Sequence, residues 1–403
     1  MPAPVSRIQA LQLLLEAAAP HDATGCPAAD SIGLVAARDI AAGCDVPETA
    51  CSVRDGYALR ADDVKKAGSM RPVRLAVKQC IRAESMDPDP IGPGEAARVL
   101  TGGTVPPGAD CVLAEEDVEA ANGDILVTAT VRPGWFVRPV GGEIADGTVI
   151  THGGREITPQ AAAVMTRTRL AHVPVHPRPT ARILALGSEL AAPGEADFAH
   201  FPADNLVLTS GLFERAGATV TTTSVLPDEK ARLVDTLSRT DLPDVVVTTG
   251  GTGNSERDFA RSGALMSGFD ILFDTVDMRP GRNVFAARRG RTLLFGLPGP
   301  PAAVFTCFHA LILPVVRSLR GLPNPEEPVM ARFTKGINVR PGSEWLVQCE
   351  LVIDGSQLSA SPLAGKEVPP MLGMGRATGL AVIQGGDTVR PGDEREILTT
   401  SYR

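Results

Sequence analysis

Aromatic residues make up only 4% of this 403-residue chain, which argues against a surface built to stack nucleic-acid bases. Positive charge does not dominate either. The formal net charge is −8, so a polyanion partner is disfavoured, although a small anion needs only a local basic pocket. The seven cysteines, at 26, 44, 51, 80, 111, 307 and 349, contain no CxxC pair. Neither a zinc site nor a disulfide framework is expected, and scattered thiols suit a reducing, cytoplasmic compartment. Long apolar runs are missing as well: the longest, Ala302 to Val316, is interrupted by His309 and Pro314 and reads as too short to span a bilayer. The N-terminal MPAPVSRIQALQLLLEAAAP has helical spacing without a cleavage site and reads as an amphipathic helix rather than a signal peptide. Neither a nucleic-acid nor a membrane partner is expected.

What remains is ordinary globular material, with 43% hydrophobic and 21% charged residues. A chain of this length implies roughly two to four domains. Gly 41 and Pro 34 are spread along it as turn punctuation. Residues 1–20 read as a helix, and 45–139 as short strands between turn clusters, an inserted β-rich domain. Residues 1–44 with 140–177 form an N-terminal linker domain, containing a helix capped by Thr158 with Pro159 at its first position. From 178 to 325 strands alternate with helices, which indicates α/β units on a mostly parallel sheet. Residues 326–403 lose the helices and read as a small C-terminal β domain. The fold class expected is therefore multidomain, α/β and β.

The most informative stretch is DVVVTTGGTGNSERD, Asp244 to Asp258. Val245 to Thr249 is the β-branched run of a buried parallel strand. Gly250, Gly251 and Gly253 permit positive φ and close approach of a ligand, and a helix is expected to start near Ser255. Free N–H groups at such a strand–loop–helix junction bind phosphates and other oxyanions. Two further loops, Gly187–Leu190 and Met278–Asn283, also follow expected strands. If the three strands are neighbours, Glu189 and Asp258 supply carboxylates and Arg279 and Arg282 supply fixed positive charge. Carboxylates hold Mg²⁺ through one or two oxygens and arginine forks suit oxyanions, a combination fitted to metal-assisted phosphate or anhydride chemistry.

These motifs occur in an order that resembles the molybdopterin molybdenumtransferase family, the MoeA or gephyrin E-domain type. VRDGYALR at 53–60, RVLTGGTVPPGADCVLAEE at 98–116, VRPVGGEI at 137–144, LGSEL at 186–190, Asp204-Asn205, Leu226-Pro227-Asp228, the glycine loop, RPGRN at 279–283 and GLPGPP at 296–301 carry the resemblance. It covers essentially the whole chain. It implies a molybdopterin-binding α/β domain and a Mg²⁺-dependent reaction in which molybdenum from molybdate enters adenylylated molybdopterin and AMP is released. It further implies that Arg279 and Arg282 bind oxyanion, that Gly250, Gly251, Gly253, Ser255, Pro298, Gly299 and Asp204 belong to the molybdopterin pocket, and that Glu189, Asp228 and Asp258 act catalytically, Glu189 and Asp258 on the metal. A homodimer is implied whose inserted domain brings Asp55, Thr101 and Glu143 to the partner's pocket. Molybdopterin adenylyltransferase and client molybdoenzymes are the protein partners implied.

Most of these residues also have a plainer reading. Asp55 and Thr101 precede glycines and suit turns; Asp204 and Asp228 suit helix N-caps, Asp228 more so. Glu189 and Arg282 suit solvent, and Asp258 suits a helix dipole. His152, His172 and His176 read as surface residues. The chain also departs from the family pattern: Ser188 stands for the Asp of TGDEL, Arg279 and Arg282 for the lysines of KPGKP, Pro300 for the Asn of GLPGNP, and GGTG for GGxS. The GGTG form resembles an adenylyltransferase, and the altered loops suit a paralogue that binds and delivers the pterin without turnover. These are the two alternatives to the insertase.

Overall fold

The computed structural model describes residues 3–400 apart from 86, 196–198, 254–258, 324–327 and 365–367. The first helix, α1 (Arg7–Ala17), starts where Ser6 and Gln9 form a reciprocal capping box. Its Ala10 and Leu14 are fully buried in the core of the α/β region. The helix therefore packs with that region rather than with the linker to which sequence order assigns it.

The inserted region is β-rich as expected. Its six-stranded sheet is built from Gly56–Leu59, Val73–Ile81, Glu95–Val99, Cys111–Ala114, Val118–Ala121 and Asp124–Val127. In the linker, Thr158 accepts from the N–H of Ala161 and Pro159 opens the helix Pro159–Arg167.

The α/β region contains β1 (Thr180–Leu186), α2 (Asp204–Arg215), β2 (Thr219–Leu226), α3 (Lys230–Leu237), β3 (Val245–Thr249), α4 (Ala260–Met266), β4 (Asp270–Phe273), β5 (Phe285–Arg289), β6 (Thr292–Leu297), α5 (Pro301–Cys307) and α6 (Leu313–Leu319). The sheet order is β2-β1-β3-β6-β5-β4. The first four strands are parallel, and β5 and β4 add an antiparallel edge. Every residue of β3 is buried, because α1, α2, α5 and α6 cover one face and α3 and α4 the other. Such burial on both faces explains the uninterrupted Val-Val-Val-Thr-Thr run.

Helices α5 and α6 are joined by a π-helical turn, Phe308–Ile312. The combined helix runs from Pro301 to Leu319, 19 residues with mean hydropathy 1.7. It is longer than the apolar run alone indicates and meets the length of a membrane span, but 83% of it is buried inside the protein. It is the central core helix.

The C-terminal strands Val329–Phe333, Glu344–Asp354, Gln357–Pro362, Gly379–Ile383 and Glu394–Thr399 close into a barrel, since Glu344–Asp354 pairs with both Gln357–Pro362 and Gly379–Ile383. The sequence expectation for Met278–Asn283 is corrected here. Met278 and Arg279 pair in parallel with Glu344 and Trp345 of the barrel, not with the α/β sheet. All seven cysteines are free thiols. His152 and His172 are exposed, whereas His176 is half-buried, with Nδ1 2.9 Å from the His21 carbonyl.

Candidate functional site

The carboxyl ends of β1, β3 and β6 lie side by side, the position where open parallel sheets bind ligands. Gly250 joins them. Its N–H donates to the Leu297 carbonyl at 3.0 Å, and with φ +87° a Cβ there would stand 2.8 Å from the Leu186 carbonyl oxygen. Only glycine fits. Gly251 also has positive φ, +64°, and its carbonyl accepts from the N–H of Ala260 at the start of α4. Gly253 follows, half-buried. Ser255 and Asp258 lie outside the described residues.

Beside this loop, the turn after β1 is clasped to the turn after β2. The N–H of Asp228 donates to Ser188 Oγ at 3.0 Å, and the N–H of Ser188 donates to Asp228 Oδ2 at 3.4 Å. This corrects the reading of Asp228 as a helix cap: the N-cap of α3 is Glu229, and no side chain caps that helix. The exposed Glu189 carboxylate curls back over Gly187, so a Cβ on Gly187 would meet Glu189 Oε1 at 2.8 Å.

Asp204 is not an N-cap either. It occupies the first helical position of α2, after Ala203, and makes no capping hydrogen bond; its exposed charge complements the helix dipole there. The neighbouring Asn205 does the positional work. Its Nδ2 donates to the Gly299 carbonyl at 2.7 Å, tying α2 to the Pro298-Gly299 turn after β6, while its Oδ1 is buried without a partner. The signal for Asn205 was present in the Asp-Asn pair, but only the fold shows which of the two faces inward.

Arg279 and Arg282 are both exposed, and neither guanidinium makes an ion pair with a described residue. Their loop is seated by Gly281, whose φ of +109° and missing Cβ allow contact with Cys307. A Cβ at Gly281 would lie 2.5 Å from Cys307 Sγ and 3.9 Å from the Ala303 carbonyl oxygen. Ala303 is in the first turn of α5, so Gly281, between the two arginines, packs against the start of that helix.

The inserted-domain residues are satisfied locally. Thr101 hydrogen-bonds Asp55, and the backbone N–H of Thr101, then its hydroxyl and the charge of Arg98, hold the Asp55 carboxyl below its ordinary range. Glu143 forms a short ion pair with Arg138. None of the three is bonded to a described residue of the α/β edge within one chain. Among the described residues no group of three His, Cys, Asp or Glu converges to hold a metal. Glu189 and Asp228 nonetheless offer two carboxylates on neighbouring loops, and Asp228 Oδ1 takes no hydrogen bond from a described residue. That donor set fits Mg²⁺, which is held by one or two carboxylates with water and substrate phosphates rather than by a full protein cage.

Comparison with known proteins agrees with this layout. Residues 5–168 match the family model described as MoeA N-terminal region (domain I and II), and residues 182–318 match that of a probable molybdopterin binding domain. Molybdopterin molybdenumtransferase 2 of Mycobacterium tuberculosis is 30% identical over 309 residues, covering 75% of this chain and 76% of that relative. The molybdopterin molybdenumtransferase of Bacillus subtilis is 31% identical over 300 residues, covering 72% and 69%. Among solved structures, the molybdopterin biosynthesis moea protein of Pyrococcus horikosii superimposes with a TM-score of 0.87 at 25% identity, over 100% of both chains.

Proposed function

The chain belongs to the MoeA family of molybdopterin molybdenumtransferases, and on that premise we propose how its own residues insert molybdenum from molybdate into molybdopterin. The substrate is adenylylated molybdopterin and AMP is the leaving group. The observation that carries this reading is the junction of β1, β3 and β6, where Gly250 bonds the Leu297 carbonyl and packs against the Leu186 carbonyl.

Backbone N–H groups of the Gly250–Gly253 loop receive the substrate's phosphates. Arg279 and Arg282 hold molybdate, an oxyanion that their forked donors match. Asn205 keeps the Pro298-Gly299 turn in register with α2, so pocket wall and loop stay at fixed spacing. Mg²⁺, when bound, stabilises charge developing on the departing AMP phosphate; Glu189 and Asp228 are the described groups that would hold it, with Asp258 as the further candidate. Asp55, Thr101 and Glu143 complete the pocket from the second subunit of a homodimer, in keeping with their exposure and with partners inside the inserted domain and linker. The free thiols are consistent with action in the cytoplasm, between an adenylyltransferase that supplies the substrate and client enzymes that take up the product.

The test is AMP release from adenylylated molybdopterin and Mg²⁺, with and without molybdate. Molybdate-dependent release is the expected result. Bound pterin with no AMP released under either condition would overturn the insertase reading in favour of a carrier.

A further inference from the structure

The turn after β1 carries a serine at 188, and the structure gives that serine a specific partner. Ser188 and Asp228 bond reciprocally, backbone N–H to side-chain oxygen in both directions, at 3.0 and 3.4 Å. The Gly187 N–H donates to the Leu226 carbonyl at 3.0 Å just below, continuing the parallel pairing of β1 and β2 into the loops. The clasp therefore fixes one carboxylate oxygen of Asp228, while Oδ1 takes no hydrogen bond from a described residue. It also fixes the backbone of the residue before Glu189. A hydroxyl accepts the Asp228 N–H without adding a negative charge beside that carboxylate; an aspartate at 188 would accept the same N–H and add one.

We propose that Ser188 is a positioning residue for the cation of this site, holding Asp228 with Oδ1 open, and that serine rather than aspartate at 188 sets a weaker affinity for the divalent cation. The inference rests on the insertase reading only for the identity of the reaction. Affinity for a hard cation rises with the number of charged oxygen ligands and with their preorganisation. Ser188 supplies the second and not the first.

The probe is Mn²⁺ in place of Mg²⁺, titrated by electron paramagnetic resonance into the full-length protein with AMP present. Steady-state AMP release against Mg²⁺ concentration and the melting temperature are measured alongside. Ser188→Ala is expected to weaken Mn²⁺ binding severalfold and raise the half-saturating Mg²⁺, with kcat at saturating Mg²⁺ largely kept. Ser188→Thr retains the hydroxyl and is expected to behave as the parent, while Ser188→Asp is expected to tighten Mn²⁺ binding severalfold. The proposal is overturned if Ser188→Ala lowers the melting temperature but leaves Mn²⁺ affinity and Mg²⁺ dependence unmoved, since Ser188 is then only a loop brace. It is equally overturned if the parent binds no Mn²⁺, or if Ser188→Asp leaves the affinity unchanged. The Mn²⁺ titration decides these points even if AMP release proves independent of molybdate, so failure of the reaction assignment is read separately.

Discussion

Thr101 donates both its backbone N–H and its hydroxyl to a single oxygen, Asp55 Oδ1, each at 2.7 Å. Two residues expected to serve a neighbouring subunit thus hold each other, and the bond shapes two turns of the inserted domain into one exposed surface. Asp55→Ala removes the acceptor for both donors. It is expected to lower the melting temperature and to reduce AMP release; Thr101→Ser, which keeps both donors, is expected to preserve both. A loss of turnover in Asp55→Ala that is recovered by mixing with a variant defective only in Arg279 is the expected sign of a shared site. Equal loss in mixed and unmixed samples would place Asp55 in a structural role alone.

Arg279 and Arg282 make no ion pair with a described residue, so on the proposed function their charge serves an oxyanion. Replacing either by Ala is expected to weaken molybdate binding by about 1.5–3 kcal/mol, the range for hydrogen bonds to charged groups. Equilibrium dialysis with molybdate reads this directly. Unchanged affinity in both variants would remove them from the site.

Gly281→Ala introduces a side chain where φ is +109° and Cys307 Sγ would be 2.5 Å away. The strained backbone alone costs roughly 1–3 kcal/mol, and the sulfur contact adds to it. Urea unfolding is expected to show the loss, with weaker molybdate binding because the arginine loop shifts. Combining Gly281→Ala with Cys307→Ala is expected to recover only part, since the backbone penalty stays.

His309 sits in the π-helical turn, 3% exposed, with Nδ1 2.9 Å from the Phe305 carbonyl. Burial lowers its pKa from the ordinary 6.5 to about 4. The unfolded chain takes up a proton below pH 6.5 that the folded chain refuses until about pH 4, so this group's contribution is present above that window and declines as pH falls through it. The full effect is about 3 kcal/mol. Comparing urea midpoints of the parent and His309→Gln between neutral and acidic pH isolates it: the variant is expected to lose less stability on acidification. Parallel curves would show that His309 is not the responsible group.

Much of the architecture is legible in local sequence. Val245–Thr249 is β-branched and bordered by Pro-Asp and glycines, and it is a fully buried strand. Thr158 and Pro159 start their helix as the capping pattern requires, and Thr219–Leu226 is a strand over its whole run. Asp204 and Asp228 are not legible in the same way, because an acidic residue before a helix satisfies a capping pattern whether or not its side chain turns to the helix. At Asp228 a partner from another loop was available; at Asp204 the exposed first-turn position was.

Sequence by itself determined the order of the elements, the positive φ of Gly250 and Gly251 and the chemical kinds of group present, since propensity, turn chemistry and hydrophobic period act over a few residues. Tertiary structure alone decided which groups meet. Ser188 finds Asp228 across 40 residues, Thr101 finds Asp55 across 46, and Arg279 pairs with Trp345 of the barrel sheet. Helix α1 leaves its sequence neighbours for the α/β core because Ala10 and Leu14 can be buried there. No local window holds these pairings: Ser188 meets Asp228 through the parallel pairing of β1 and β2, Thr101 meets Asp55 through the antiparallel pairing of Gly56–Leu59 with Glu95–Val99, and Arg279 meets Trp345 in the barrel sheet.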